Sequence, residues 1–260
     1  MILVLAVPVK SIKNVAVNRT MTLLILAAGF GTRLEPRTIS FPKHLLPVGN
    51  SCVMDFFYNS VEKTNSLFDK RVLITNEIYF KHFKTWANSK KVKIKVISNG
   101  VTKKIDKIGA IGDFLLSCKR EEISEDVFVV APDYVLEDVD LEEVIKFSNQ
   151  KRSSVTLFRT EKDKGKLKAG SCLLVDKDGK VIKFEEKPQE PFSENYGVPY
   201  YLIKKKDIGK IAKIPDELQD NSGQIVAELV KSSLVYGFRY DGSIIHLTSE
   251  QDYQEILNKY

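Results

Sequence analysis

Arg33 and Lys43 stand ten residues apart in the run "LILAAGFGTRLEPRTISFPKHLLPV", residues 24–48, where an apolar stretch breaks into glycines ahead of the cations. Gly29 and Gly31 can take backbone conformations closed to other residues and let N–H groups approach a ligand. Arg33 carries a planar, permanently charged fork able to hold two phosphate oxygens at once. Lys43 is a point charge on a segment stiffened by Pro36 and Pro42. These residue types, in this order, suit a ligand with several phosphates. The "GFG" turn alone would look the same without a ligand, Arg33 could pair with Glu35, and Lys43 could be solvated. The whole order of strand, glycine loop, Arg, Pro, Pro-Lys and "LLPV" is too long and particular to be common by accident.

The run is not a Walker A loop, because no Gly-Lys-Ser/Thr follows the glycines. Nor is it a dinucleotide fingerprint, since Leu34 stands where the third glycine belongs. Further along, Asp133 closes the apolar stretch "VFVVAPD". A carboxylate at a strand's carboxyl end, beside a phosphate loop, suits Mg²⁺ that keeps waters and phosphate ligands. A turn or capping aspartate is the alternative reading.

These groups need a scaffold, and apolar runs alternate with amphipathic ones as βαβ units do. The pattern predicts strands over Leu23–Ala27, Val72–Thr75, Val92–Ile97, Val127–Val130 and Val155–Arg159. Helices are predicted over Val53–Thr64, Glu77–Asn88, Lys107–Lys119 and Leu141–Gln150. Most of these strands are wholly apolar, as parallel strands covered on both faces are. Val92–Ile97 alternates with lysines and reads as an edge. After residue 160 come a hairpin turning at Asp178-Gly179, an extended "NYGVPYYLI" and a helix over about Ser222 to Lys231. A strand, turn and strand follow in "LVYGFRYDGSIIHL", then a last helix with Ser249 as its N-cap. The fold class is therefore α/β: a Rossmann-like, doubly wound, mainly parallel sheet with a mixed β edge lobe.

The 260 residues, 43% of them hydrophobic, suit such a domain. Residues 1–20 read as an N-terminal extension outside the fold, with Met21 directly before the first strand and residues 21–260 forming a single domain. The apolar run Ile2–Val9 is too short to span a membrane and lacks a signal peptide's basic start. The net charge of +6 is spread along the chain, unlike the dense basic stripe of a nucleic-acid binder. Cys52, Cys118 and Cys172 match no zinc spacing and read as packed thiols in a reducing, cytoplasmic setting.

From Gly29 through Val48 the chain resembles the sugar-nucleotide pyrophosphorylases, in particular the glucose-1-phosphate thymidylyltransferase-like group. Their signature Gly-x-Gly-Thr-Arg-Leu-x-Pro-x-Thr-x-x-x-Pro-Lys-x-Leu-Leu-Pro-Val is met without a gap. Weaker matches, "FVVAPDYVLE", "GSCLLVD", "FEEKP" and "YGFRYDG", extend the likeness over nearly all of residues 21–258. The resemblance implies the nucleotide-diphospho-sugar transferase fold. It also implies a reaction in which a sugar 1-phosphate oxygen attacks the α-phosphorus of a nucleoside triphosphate, dTTP or UTP being favoured, and pyrophosphate leaves. On this reading Ala28, Gly29, Gly31 and Thr32 meet the nucleotide. Arg33 holds the β/γ-phosphates and Lys43 balances charge at the α-phosphorus. Gly109, in "KIGAIGDFLL", falls where relatives touch the base. Glu186 and Lys187 stand as sugar-hydroxyl acceptor and sugar-phosphate cation, Gly170 lets the backbone approach the sugar, and Val198 packs near the ring. Asp133 is the metal ligand, with Mg²⁺ as cofactor. The partners are an NTP and a sugar 1-phosphate, with neither nucleic acid nor membrane, and a homo-oligomer is compatible with the family.

Two positions depart from that pattern. Pro132 replaces a glycine before Asp133, and His246 replaces the aspartate that is the second metal ligand of relatives. His246 either binds a softer ion such as Mn²⁺ or Co²⁺, or donates to a phosphate when protonated, or merely fills space. His44, inside the signature, falls at a position that varies among relatives, and His82 reads as solvated. A non-catalytic binder of nucleotide or sugar phosphate stays open as an alternative. So does a cytidylyltransferase for a non-sugar alcohol phosphate, which would not need Glu186.

Overall fold

The structure, a computed structural model, describes residues 21–137 and 139–260. The N-terminal extension expected over residues 1–20 lies outside the described residues.

Among the described residues, a nine-stranded sheet organises the chain. Its first strand, β1 (Met21–Leu26), is buried at every residue. Two very short strands, β2 (Pro47–Val48) and β3 (Ser51–Cys52), pair with each other and lead into α1 (Val53–Lys63). The parallel part continues through β4 (Lys70–Thr75), α2 (Phe80–Asn88), β5 (Lys95–Ser98), α3 (Gly109–Arg120) and β6 (Asp126–Val130). Leu24 faces Val72 on one side and Val129 on the other, which sets the parallel register. Along these strands alternate residues point to opposite faces. Leu23, Ile25, Leu73 and Phe128 join the core under α1 and α2, with Phe57 and Phe83. Leu24, Leu26, Val72 and Val129 join a second core with Phe114 of α3. Helices thus cover both faces, and the doubly wound sheet expected from the apolar strands is present.

The rest of the chain adds β7 (Tyr134–Leu136), α4 (Leu141–Lys151), β8 (Ser154–Thr160), α5 (Lys164–Ala169), β9 (Ser171–Val175), β10 (Val181–Glu186) and β11 (Asn195–Ile203). It ends with α6 (Lys205–Ile211), α7 (Gln224–Ser232), β12 (Val235–Arg239), β13 (Ile244–His246) and α8 (Glu250–Lys259). β11 is the hinge of the topology, antiparallel to β6, β8 and β9. The mixed lobe is built on it. The β9–β10 hairpin turns through Gly179 at φ +82°, with the Asp176 carboxylate accepting from the Asp178 and Lys180 N–H groups.

Several boundaries differ from the sequence pattern, each for a local reason. The edge strand shortens to Lys95–Ser98 and, among the described residues, pairs with β4 alone. α2 starts at Phe80 because the Asn76 side chain accepts the Tyr79 N–H, holding residues 77–79 in a turn. α3 starts at Gly109, whose φ of +73° cannot continue a helix backwards. α5 and α6 carry no clear apolar period and escaped the pattern. β12 and β13 do not pair with each other: β12 lies parallel to β8, and β13 joins β7 in a separate two-stranded sheet.

Candidate functional site

At the carboxyl end of β1 the chain turns through residues 27–31. Four of its five carbonyl groups, all but that of Gly29, are engaged by side chains among the described residues. Asn76 Nδ2 donates to Ala28 O at 3.0 Å, Tyr79 Oη to Phe30 O at 2.9 Å, and Thr38 Oγ1 to Gly31 O at 2.8 Å. The N–H groups of Gly29, Gly31 and Thr32 have no acceptor among the described residues. Gly31 sits at φ +63°, and a Cβ there would lie 3.1 Å from the Thr38 methyl. A loop with tied carbonyls and free N–H groups is an anion-binding concavity. Arg33 follows on the surface, with no ion pair among the described residues, and Glu35 pairs with Lys104 instead.

Behind the loop, Lys43 reaches the carboxylate that closes β6. Its Nζ lies 2.6 Å from Asp133 Oδ2 and 3.2 Å from the carbonyl of Leu247. The side chains are only 11% and 17% exposed, so Lys43 is not a solvated cation. Burial alone would raise the Asp133 carboxyl, but the Lys43 ammonium and His246 overcome that and hold it well below the usual range. The β7–β13 pairing sets His246 opposite Tyr134, their rings stacked at 3.9 Å. His246 Nε2 thereby comes 3.5 Å from Asp133 Oδ2. His44, which reads as a lesser residue in the sequence, is buried beside them and lines the same cleft. Burial, and then the neighbouring Lys43 charge, push its imidazole down to about 3. His82 is half-buried with its ring edge-on to Phe41, not solvated.

The mixed lobe supplies the facing wall. Ser171 Oγ donates to Glu186 Oε2, and burial raises the Glu186 carboxyl above its ordinary value. A Cβ at Gly223 would run into that carboxylate. Lys187 Nζ donates to Asn221 Oδ1 at 2.6 Å, from a backbone held at φ +51°. Gly170 lines the cleft, and a Cβ there would strike the Tyr196 ring. Val198 does not reach the cleft. Its side chain is wholly buried in the core under α1 and α2, because its position along β11 points it to that face.

Together these groups enclose a cavity of about 230 Å³, bounded by Arg33, Lys43, Asp133, Gly170, Glu186, Lys187 and His246. It opens past Gly29, Arg33 and Lys187 into a larger one of about 600 Å³, which Ala28, Gly31, Thr32 and Gly109 line. The expected site residues other than Val198 therefore gather in one continuous cleft. Two further groups, Asn99 and Asp113, line the larger cavity. Asp113 could have been noticed as the one charge inside the apolar helix stretch "GAIGDFLL".

Asp133 Oδ1 is buried without a hydrogen-bond partner among the described residues, an acceptor available to a cation. With His246 Nε2 beside its other oxygen, the donor set fits a divalent ion that takes its remaining ligands from phosphates and water. No larger group of His, Cys, Asp and Glu suited to a metal occurs among the described residues. None of the described helices is long and apolar enough to cross a membrane.

Residues 22–242 match the nucleotidyl transferase family. The chain is 26% identical to the bifunctional protein GlmU of Methanococcus aeolicus over 224 residues, covering 85% of this chain and 50% of that protein. It is 25% identical to mannose-1-phosphate guanylyltransferase 1 of Arabidopsis thaliana over 244 residues, 92% of this chain and 64% of that one. The chain thus spans about half to two thirds of the length of these relatives. A UDP-glucose pyrophosphorylase solved with UDP-glucose superposes with a TM-score of 0.77 at 16% identity, over 93% of this chain and 98% of that one. That likeness establishes the shared fold. With the family match running from β1 to the turn after β12, the chain belongs to the nucleotidyl transferases.

Proposed function

We propose that this protein joins a sugar 1-phosphate to a nucleoside triphosphate, releasing pyrophosphate and forming an NDP-sugar. The observation that carries the reading is the single cleft in which an N–H-lined loop, Arg33 and Lys43 face Glu186 and Lys187 across about 230 Å³. Both substrates are anions, so the work is alignment and charge neutralisation. The free N–H groups of Gly29, Gly31 and Thr32 receive phosphate oxygens. Arg33, at the mouth and without an ion pair among the described residues, holds the β/γ-phosphates and stabilises the departing pyrophosphate. Lys43 is held near the α-phosphorus by Asp133. Lys187 binds the sugar phosphate, and Glu186 accepts from sugar hydroxyls. Asp133, with His246, would hold a divalent ion, Mg²⁺ first, which when bound neutralises phosphate charge.

The base is a separate question. The expectation of dTTP or UTP rests on the resemblance, and the similar proteins are named for guanine and uracil nucleotides alike. The base must therefore be argued from the pocket itself.

Pyrophosphate release, measured over GTP, UTP, dTTP, CTP and ATP with a panel of sugar 1-phosphates and Mg²⁺, tests the reading. Release with at least one pair is the expected result. Silence with every pair, from protein whose melting temperature rises with nucleotide, would leave a non-catalytic binder. Release with an alcohol phosphate and CTP alone would point to the cytidylyltransferase alternative.

A further inference from the structure

Two acids that the transfer chemistry does not use line the larger cavity beside the glycine loop, Asp113 and Asp220; Asp220 is exposed and paired with Lys107, whereas Asp113 is buried. It sits on the first turns of α3, only 6% exposed, and lines the cavity with Asn99, Gly109 and Ala110. Asn99 is fixed at both ends of its amide. Its Oδ1 accepts the Val101 N–H at 2.9 Å and its Nδ2 donates to Asp113 Oδ1 at 2.8 Å. The other carboxylate oxygen, Asp113 Oδ2, has no donor among the described residues. A few ångströms of helix away, the N–H groups of Gly109 and Ala110 have no acceptor either, while Ile111 N–H is taken by the Gln219 carbonyl. No side chain fits at position 109, since a Cβ there would strike that same carbonyl, so the backbone faces the cavity bare.

The cavity therefore presents a carboxylate able to accept two N–H groups beside backbone donors able to serve one oxygen. Nucleobases differ in how well they meet this. Uracil and thymine offer one N–H flanked by two carbonyls, so a carboxylate would meet a repulsive oxygen. Cytosine and adenine offer an amino group next to a bare ring nitrogen. Guanine alone among the five places a ring N–H and an amino group side by side, with a carbonyl adjacent. A pocket built to bond a polar group rejects the base that lacks it, because its own buried groups are then left unpaired.

We propose that Asp113 is a specificity-determining residue that selects guanine, its carboxylate accepting N1–H and the 2-amino group while the start of α3 donates to O6. This deepens the nucleotidyl-transfer reading and rests on the nucleotide lying in this cleft. Asn99 is the positioning residue: it donates to Oδ1, which keeps a second lone pair for one guanine N–H, and leaves Oδ2 wholly to the other.

Two measurements separate this inference from the reading beneath it. Calorimetric binding of GDP, IDP, XDP and UDP needs no turnover, and pyrophosphate release from the matching triphosphates does. The wild-type protein should bind GDP at least about tenfold more tightly than IDP, which lacks the 2-amino group, and more tightly than UDP. Asp113→Asn should bring the GDP-to-IDP ratio to about one. It should also gain XDP, whose 2-carbonyl meets the new amide N–H, a gain that a misfolded variant cannot give. Equal affinity for GDP and IDP, or preference for UDP, overturns the inference. Turnover with UTP in preference to GTP overturns it while leaving nucleotidyl transfer standing. Selective GDP binding without turnover by any pair leaves the inference standing and removes the transfer reading. No binding of any nucleotide removes both.

Discussion

Lys43 Nζ lies 2.6 Å from the Asp133 carboxylate at the floor of the cleft, a contact between residues 90 positions apart in the chain. The pair links the loop after β1 to the end of β6, and most of it is shielded from water. Removing one partner leaves the other charge without compensation, and in buried pairs that costs roughly 3 kcal/mol. Lys43→Met should therefore lower unfolding free energy by about that much, and Lys43→Met with Asp133→Leu should recover much of it. A urea-unfolding double-mutant cycle reads the coupling. Additive losses would show that the two side chains do not share this contact in solution.

Arg33 is the opposite case. It is exposed and has no ion pair among the described residues, so Arg33→Ala should change stability by no more than about 0.5 kcal/mol. Its turnover should nevertheless fall by roughly 10²–10³-fold, as when one preorganised charge-stabilising donor is lost. Steady-state kinetics beside a thermal melt checks both halves. A fall of less than a few-fold would mean that Arg33 does not face the leaving pyrophosphate.

These two residues also show what the sequence could reveal. The signature named both cations, and the apolar strands predicted the sheet that carries them, because local composition determines strand burial. It could not show that Lys43 is clamped to Asp133, since that contact depends on long-range packing of β1 against β6. His246 was visible as a departure, but its stacking on Tyr134 needs the β7–β13 pair, two three-residue strands too short to announce themselves. Val198 failed for a simpler reason. A strand position fixes its face only once register is known, and Val198 points into the core. Asp113 and His44 went unused because burial, invisible in the sequence, is what makes them unusual.

Asp113 gives a pH signature. Burial pushes its carboxyl up to about 6 from 3.8, the Asn99 hydrogen bond only partly opposing this. The folded chain therefore keeps a proton that the unfolded chain releases between those values. The stability this provides is full below about pH 4 and is lost as pH rises through about 6. Asp113→Asn cannot ionise and still offers an oxygen to Asn99. It should be more stable than wild type at pH 8 by about 1–3 kcal/mol, with the difference shrinking toward pH 4. Chemical unfolding across that range measures it, and a difference independent of pH would count against a buried carboxylate there.

Lys187 occupies a left-handed backbone at φ +51°, where a residue with a Cβ is strained by about 1 kcal/mol. Lys187→Gly relieves that strain and removes the ammonium. Stability should stay within about 1 kcal/mol of wild type, whereas KM for the sugar 1-phosphate should rise by about 10–100-fold. An unchanged KM would place the sugar phosphate elsewhere.

His246→Asp would set a second carboxylate near Asp133 Oδ2, from which the imidazole is now 3.5 Å distant. Like charges at that separation repel, so the variant should melt below wild type in EDTA. Mg²⁺ should restore it, and half-saturating Mg²⁺ for turnover should drop. Identical melts with and without Mg²⁺ would show that position 246 does not face a metal.

The most direct test of the central claim follows the α-phosphorus. Nucleoside triphosphate labelled at that atom, incubated with sugar 1-phosphate and Mg²⁺, should deliver its label into an NDP-sugar with wild-type protein and far more slowly with Arg33→Ala. Label that stays in the triphosphate for every base and sugar, in protein that folds and binds nucleotide, would contradict nucleotidyl transfer at this cleft.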